Sequence, residues 1–220
     1  MARKVSIGVL ISGSGTNLQA IIDAVEANEL DARIEIVLSN RADAYGLIRA
    51  KKHGIPTEVL DHKQFPNREA FDQAVVDHLR AHGVELVILA GFMRLLSPVF
   101  VTAYSNRIMN IHPALLPAFP GLNVQRKAVE HGVRFSGCTV HFVNEECDEG
   151  PIIIQAVVPV FPDDTEQSLA ARILKQEHRI YPRAIQLYSE GRLRVEGRRV
   201  VVNGLTKDEQ QVLVQPPLHG

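Results

Sequence analysis

Asn110-Ile111-His112-Pro113 sets a carboxamide and an imidazole two residues apart at the end of Arg107–Ile111, a run that reads as a short strand. On an extended backbone, alternate side chains project to the same side, so Asn110 and His112 are expected to converge. A carboxamide N–H and an imidazolium N–H aimed at one point stabilise a developing oxyanion, and the imidazole, titrating at about 6.5 when unperturbed, also moves protons. A partner is available in Glu145-Glu146-Cys147-Asp148-Glu149, where any of four carboxylates beside His112 would hold its tautomer and favour its charged form. Residue types alone do not choose among the four, although Gly150-Pro151 implies a tightly held backbone just after Asp148. The plainer reading is a satisfied strand-end histidine beside a turn proline, with a solvated acidic loop.

A second feature is Gly13-Ser14-Gly15-Thr16-Asn17, placed between an apolar strand and a helix. Glycines let the backbone approach an anion, the helix start offers unpaired N–H groups, and Thr16 and Asn17 add side-chain donors. The third glycine of a dinucleotide fingerprint and the Gly-Lys-Ser/Thr of a nucleotide P-loop are both missing, so a single phosphate is the simpler ligand. The alternative is a tight strand-to-helix turn.

These residues must be positioned by elements, and short apolar runs alternating with amphipathic stretches point to βαβ units around a parallel sheet. Strands are expected at Val5–Ile11, Ile34–Leu38, Thr57–Leu60 and Leu86–Ala90. Helices are expected at Leu18–Ala27, Ala44–His53 and from an Asn67 cap to His82. The ligand crevice then lies at the carboxyl ends of the strands. The second half adds a short helix Pro98–Tyr104, a proline-stiffened loop through Pro113, Pro117 and Pro120, and a helix Val124–His131. Strands follow at Gly137–Val143 and Ile152–Val160. A long helix opened by Asp163 or Asp164 reaches Tyr188 through Pro182, and a hairpin spans Leu193–Val202. The expectation is one domain over residues 1–205 and a loosely ordered tail over 206–220.

Composition narrows the chemistry. The 220 residues are 45% hydrophobic and 22% charged with a net charge of −1, a balance unsuited to coating nucleic acid or an anionic membrane. No run approaches the roughly 18 apolar residues of a membrane span. Two cysteines suit a reducing, cytoplasmic setting rather than a disulfide scaffold. Cys138, His141, Cys147 and His112 make a zinc site conceivable, but no second close ligand pair exists, and Cys138 and His141 are expected on opposite faces of a strand. A covalent hydrolase is disfavoured because no G-x-S-x-G elbow is present.

Taken together, SGSGTNLQAII, LAGFMRLLSPVF, NIHPALLPAFPG, TVHFV and DEGPIIIQ closely resemble the phosphoribosylglycinamide formyltransferase family of folate-dependent enzymes, in register from about Val5 to about Leu193. The resemblance implies an α/β fold, a Rossmann-like open, mostly parallel twisted sheet with helices on both faces. It implies Asn110, His112 and Asp148 as the catalytic set and Gly15, Thr16 and Asn17 as the substrate phosphate loop. Glu177 then matches a ribose contact, and Arg68, Met93, Arg94, Leu95 and Leu96, with Asn110, match folate positions. The implied co-substrate is 10-formyltetrahydrofolate, with no metal and only small-molecule partners, no nucleic acid or membrane, and a monomer or homodimer. Two departures stand out: Ala114 where many relatives carry Ser, and Thr16 where Ser is common. Related activities weighed beside it are a formyltetrahydrofolate hydrolase, a methionyl-tRNA formyltransferase and a non-catalytic phosphosugar-binding module. The first two are expected to need an added regulatory or basic RNA-binding domain.

Overall fold

The computed structural model describes residues 3–204, so the expected tail at 206–220 lies outside the described residues. Strand β1 (Val5–Ile11) is buried along its whole length, as apolar residues on both faces of a covered parallel strand require. It is followed by α1 (Thr16–Glu26), β2 (Ala32–Ser39), α2 (Tyr45–Lys52), β3 (Thr57–Val59), α3 (Arg68–Ala81) and β4 (Leu86–Leu89). The second half adds α4 (Pro98–Ala103), β5 (Ile108–His112), α5 (Val124–Glu130), β6 (Phe135–Phe142), β7 (Ile152–Pro159), α6 (Glu166–Ser189), β8 (Leu193–Glu196) and β9 (Arg199–Val202).

The nine strands among the described residues form one sheet in the order β3-β2-β1-β4-β5-β6-β7-β9-β8. The strands from β3 to β5 are mutually parallel. Strand β6 then runs antiparallel to both β5 and β7. The expected open, mostly parallel sheet is therefore present, with an antiparallel strand inserted beside β5.

Each face of the sheet carries its own core. On one side Ile7, Val9 and Ile11 meet Leu18, Ile21 and Ile22 of α1 and Tyr181 and Ile185 of α6. On the other, Leu10, Leu38 and Leu89 meet Phe71, Val75 and Leu79 of α3 and Phe100 of α4. Gly8 permits that second packing, because a Cβ there would fall 2.5 Å from Leu79 Cδ2. Buried Tyr181 ties α6 to two adjacent strands, its hydroxyl donating toward the Leu89 carbonyl (3.0 Å) of β4 and the Met109 carbonyl (2.9 Å) of β5. It thereby fixes α6, and with it Glu177 one turn earlier, beneath β4 and β5.

Several boundaries shift by one or two residues from the sequence expectation, and the starts of two helices matter for the site. Helix α1 begins at Thr16 rather than Leu18, because Gly15 is its N-cap in the left-handed region at φ 69°. Thr16 and Asn17 thus belong to the first helical turn. Helix α6 is capped by Thr165, not by Asp163 or Asp164: Thr165 and Ser168 form a reciprocal capping box. Asp164 is instead held by both guanidinium nitrogens of Arg172, at 2.7 and 2.8 Å. Helix α6 continues through Pro182.

Candidate active site

Three loops leave the carboxyl ends of β1, β4 and β5, next to the point where strand order reverses, which is where open α/β sheets hold ligands. The first is the glycine-rich turn. The Gly13 carbonyl accepts from Gly46 N (3.0 Å), and a Cβ on Gly15 would sit 2.6 Å from Gly46 Cα, so the loop is pressed onto the start of α2. Arg49, one turn further along α2, donates from Nε to the Ser14 carbonyl (2.9 Å) and from Nη1 to Gln19 (3.3 Å). Asn17 Nδ2 donates to Glu177 Oε2 at 2.7 Å, joining the two substrate-site candidates across 160 residues. Burial raises the Glu177 carboxyl above the ordinary value, and the Asn17 hydrogen bond opposes part of that shift. Arg49 carries no motif of its own in the sequence; only the packing of α2 against the loop brings it here.

The second site cluster joins β5 and β6. His112 is buried, with Nδ1 3.4 Å from Asp148 Oδ2 and Nε2 donating to the Phe119 carbonyl at 2.9 Å. Both ring nitrogens face acceptors, an arrangement that an imidazolium donating from both positions satisfies completely. Asp148 is the one acid of its loop turned inward; Glu145, Glu146 and Glu149 are exposed. Its backbone is left-handed at φ 58°, and its Oδ2 also accepts from Gly121 N at 2.9 Å. Gly150 lets this loop close, since a Cβ there would lie 1.7 Å from the Phe142 carbonyl.

Asn110 and His112 project to the same side of β5 as expected, but Asn110 has a partner the sequence reading did not place at the site. His141 lies directly across the antiparallel ladder from Asn110, and Asn110 Nδ2 donates to its Nε2 at 3.2 Å. His141 Nδ1 donates to the Phe142 carbonyl at 2.9 Å, which fixes the tautomer and leaves Nε2 as acceptor. Burial pushes the His141 pKa down, so the ring is neutral and suited to that role. Its Nε2 is 3.8 Å from Asp148 Oδ1, so Asn110, His141, Asp148 and His112 form one contiguous cluster. The available signal was the alternation in TVHFV: Cys138, Val140 and Phe142 belong to buried apolar clusters, which turns Thr139 and His141 the other way. The same alternation separates Cys138 from His141, so the spacing considered for zinc does not converge.

The third loop carries the folate-site candidates. Met93 and Leu95 are exposed, and Arg94 lies with its guanidinium carbon 5.0 Å from the Phe71 ring centroid. Met93 N donates to Ser12 Oγ (2.9 Å), so this stretch is tied to the residue that opens the glycine-rich turn. Arg68 stands at the start of α3, and Ala114 is buried where its carbonyl accepts from Thr139 Oγ1 at 2.7 Å.

Comparison with known proteins identifies the family. The profile of the formyl transferase family matches residues 5–185. Phosphoribosylglycinamide formyltransferase of Escherichia coli (strain K12) is 46% identical over 93% of this chain and 100% of its own length. The Haemophilus influenzae enzyme of the same name is 48% identical, over 90% of this chain and 93% of its own. The crystal structure of glycinamide ribonucleotide transformylase 1 from Symbiobacterium toebii superposes with a TM-score of 0.90 at 56% identity, covering 92% of this chain and 95% of that one. With a matching profile over most of its length, close relatives of the same extent and the same fold, the chain belongs to the phosphoribosylglycinamide formyltransferases of the formyl transferase family.

Proposed function

We propose that this enzyme transfers the formyl group of 10-formyltetrahydrofolate to the amine of 5-phosphoribosylglycinamide, with Asn110, His112 and Asp148 as its catalytic residues. The observation that carries the reading is the Asn110–His141–Asp148–His112 cluster. It stands at the carboxyl end of β5, on the same end of the parallel strands as the glycine-rich turn at Gly15–Asn17. The turn and the start of α1 hold the phosphate, Glu177 meets the ribose, and Arg68 with Met93–Leu96 hold the folate.

The amine lone pair attacks the formyl carbon, and the carbonyl electrons move onto oxygen. Asn110 Nδ2–H and the His112 imidazolium donate to that oxyanion; the formyl oxygen replaces the Phe119 carbonyl as the acceptor of His112 Nε2–H. Asp148 orients His112 through Nδ1 and relays the amine proton toward N10. The C–N10 bond then breaks, releasing tetrahydrofolate and the formamide product. No acyl-enzyme is needed, and the thiols present are poor candidates for one. Burial pushes Cys138 up to about 12, and burial and the neighbouring Asp148 charge raise Cys147 as well, so neither is a ready thiolate.

One assay tests the reading: 10-formyltetrahydrofolate is supplied with phosphoribosylglycinamide, with water alone, or with charged initiator tRNA. Consumption is expected only with the first. Equal consumption in water would make it a hydrolase, transfer to tRNA would move it to another branch, and tight binding without transfer would leave a non-catalytic module.

A further inference from the structure

The stretch between β4 and α4 is a strap with both ends tied. Its exposed middle contains Met93 and Leu95, 70% and 60% accessible. Its first end is fixed where Met93 N donates to Ser12 Oγ, and Ser12 Oγ in turn donates to Asn40 Oδ1 at 2.6 Å in a buried pair. Its far end is fixed where Ser97 N donates to Asp72 Oδ2 at 2.5 Å; Asp72 is 1% exposed and Ser97 is fully buried. Ser97 is also the N-cap position of α4, so the Asp72 carboxylate holds the backbone N–H at the point where α4 starts.

We infer that Asp72 is a positioning residue for the co-substrate strap: by accepting from Ser97 N it sets where Arg94, Leu95 and Leu96 stand. The inference rests on the reading that Met93–Leu96 contact 10-formyltetrahydrofolate. Phe71 and Asp72 are consecutive on α3 and act on the two halves of the strap, the ring under the Arg94 guanidinium and the carboxylate under Ser97. Arg68, one turn earlier on α3, and Arg94 both lie close enough to lower the Asp72 carboxyl, while the larger effect of burial raises it. The junction is closed to solvent: Asp72 and Ser97 are both buried, and the Ser97 backbone N–H and hydroxyl both lower the Asp72 carboxyl against the larger effect of burial.

The test is steady-state kinetics of Asp72→Ala and Asp72→Asn. Loss of the acceptor in Asp72→Ala is expected to raise KM for 10-formyltetrahydrofolate about tenfold or more, with KM for phosphoribosylglycinamide changed less than about twofold. Asp72→Asn keeps an acceptor oxygen and is expected to recover most of the loss. An unchanged folate KM in Asp72→Ala, equal rises in both KM values, or no recovery in Asp72→Asn would each overturn the assignment. If Asp72→Ala does not fold, Ser97→Pro removes the donor instead, at a backbone φ of −81° that proline accepts, and is expected to give the same selective rise. An unchanged folate KM there would likewise overturn it. Wild-type enzyme inactive with both substrates would instead sink the functional reading, so the two failures are distinguishable.

Discussion

At the scale of the residue, the site depends on which atom of each side chain faces which partner. Asp148 is separated from three neighbouring acids by its left-handed backbone at φ 58°, which turns it toward His112 while they face solvent. Asparagine also tolerates that conformation, so Asp148→Asn removes charge without removing the turn. Turnover is expected to fall about a hundredfold or more, with KM for both substrates nearly unchanged, as steady-state kinetics would show. Near-normal turnover would remove Asp148 from the mechanism. The Asn110–His112 pair was legible because strand alternation is a local rule. The role of His141 was not, because it follows from the Asn110–His141 register across β5 and β6, and pairing register is a property of two segments together.

At the scale of the element, the phosphate-type turn is a joint between β1, α1 and α2. Gly15 is required twice, by its left-handed φ of 69° and by the Gly46 Cα that a side chain would meet at 2.6 Å. Gly15→Ala is expected to cost at least about 1–2 kcal/mol from the backbone alone. It should weaken phosphoribosylglycinamide more than the folate. Gly13, where an added Cβ meets nothing within 4 Å, is the matched comparison for stability, and Gly13→Ala should leave the unfolding midpoint near wild type. Thermal unfolding of the two variants separates these outcomes; equal midpoints would mean the joint is not tight. The glycine pattern foretold the turn, but its partner α2 was silent, since Gly46 and Arg49 look like ordinary helix residues until the helix is packed.

At the scale of the whole molecule, placing a neutral histidine inside the sheet makes stability depend on pH. Burial holds the folded His141 pKa below its ordinary 6.5. As pH falls through that value the unfolded chain takes up a proton that the native ring refuses, so stability is lost on acidification and is fully present above it. In His141→Asn this contribution is absent. Denaturant unfolding across pH 5 to 8 is therefore expected to show a shallower acid-side decline for the variant than for wild type, with the two curves parallel above about 7. Identical slopes would show that His141 is not held neutral. No described helix is long and apolar enough to cross a membrane.

The sequence by itself determined the alternation of strands and helices, the parallel half of the sheet, the glycine-rich strand-to-helix turn and the Asn110–His112 pair. Each of these is written in periodicities of two or 3.6 residues and in glycine and proline positions, which act over a few residues. Tertiary structure turned Asp148, which the family resemblance had named among the four acids, toward His112, and it alone decided that His141 orients Asn110, that Arg49 braces the turn, and that Asp72 and Ser12 hold the two ends of one strap. Those are contacts between segments separated by 25 to 81 residues at the strap and by 35 at the turn. They exist because two amphipathic faces and an inserted antiparallel strand find a single common packing, and no local pattern encodes that outcome.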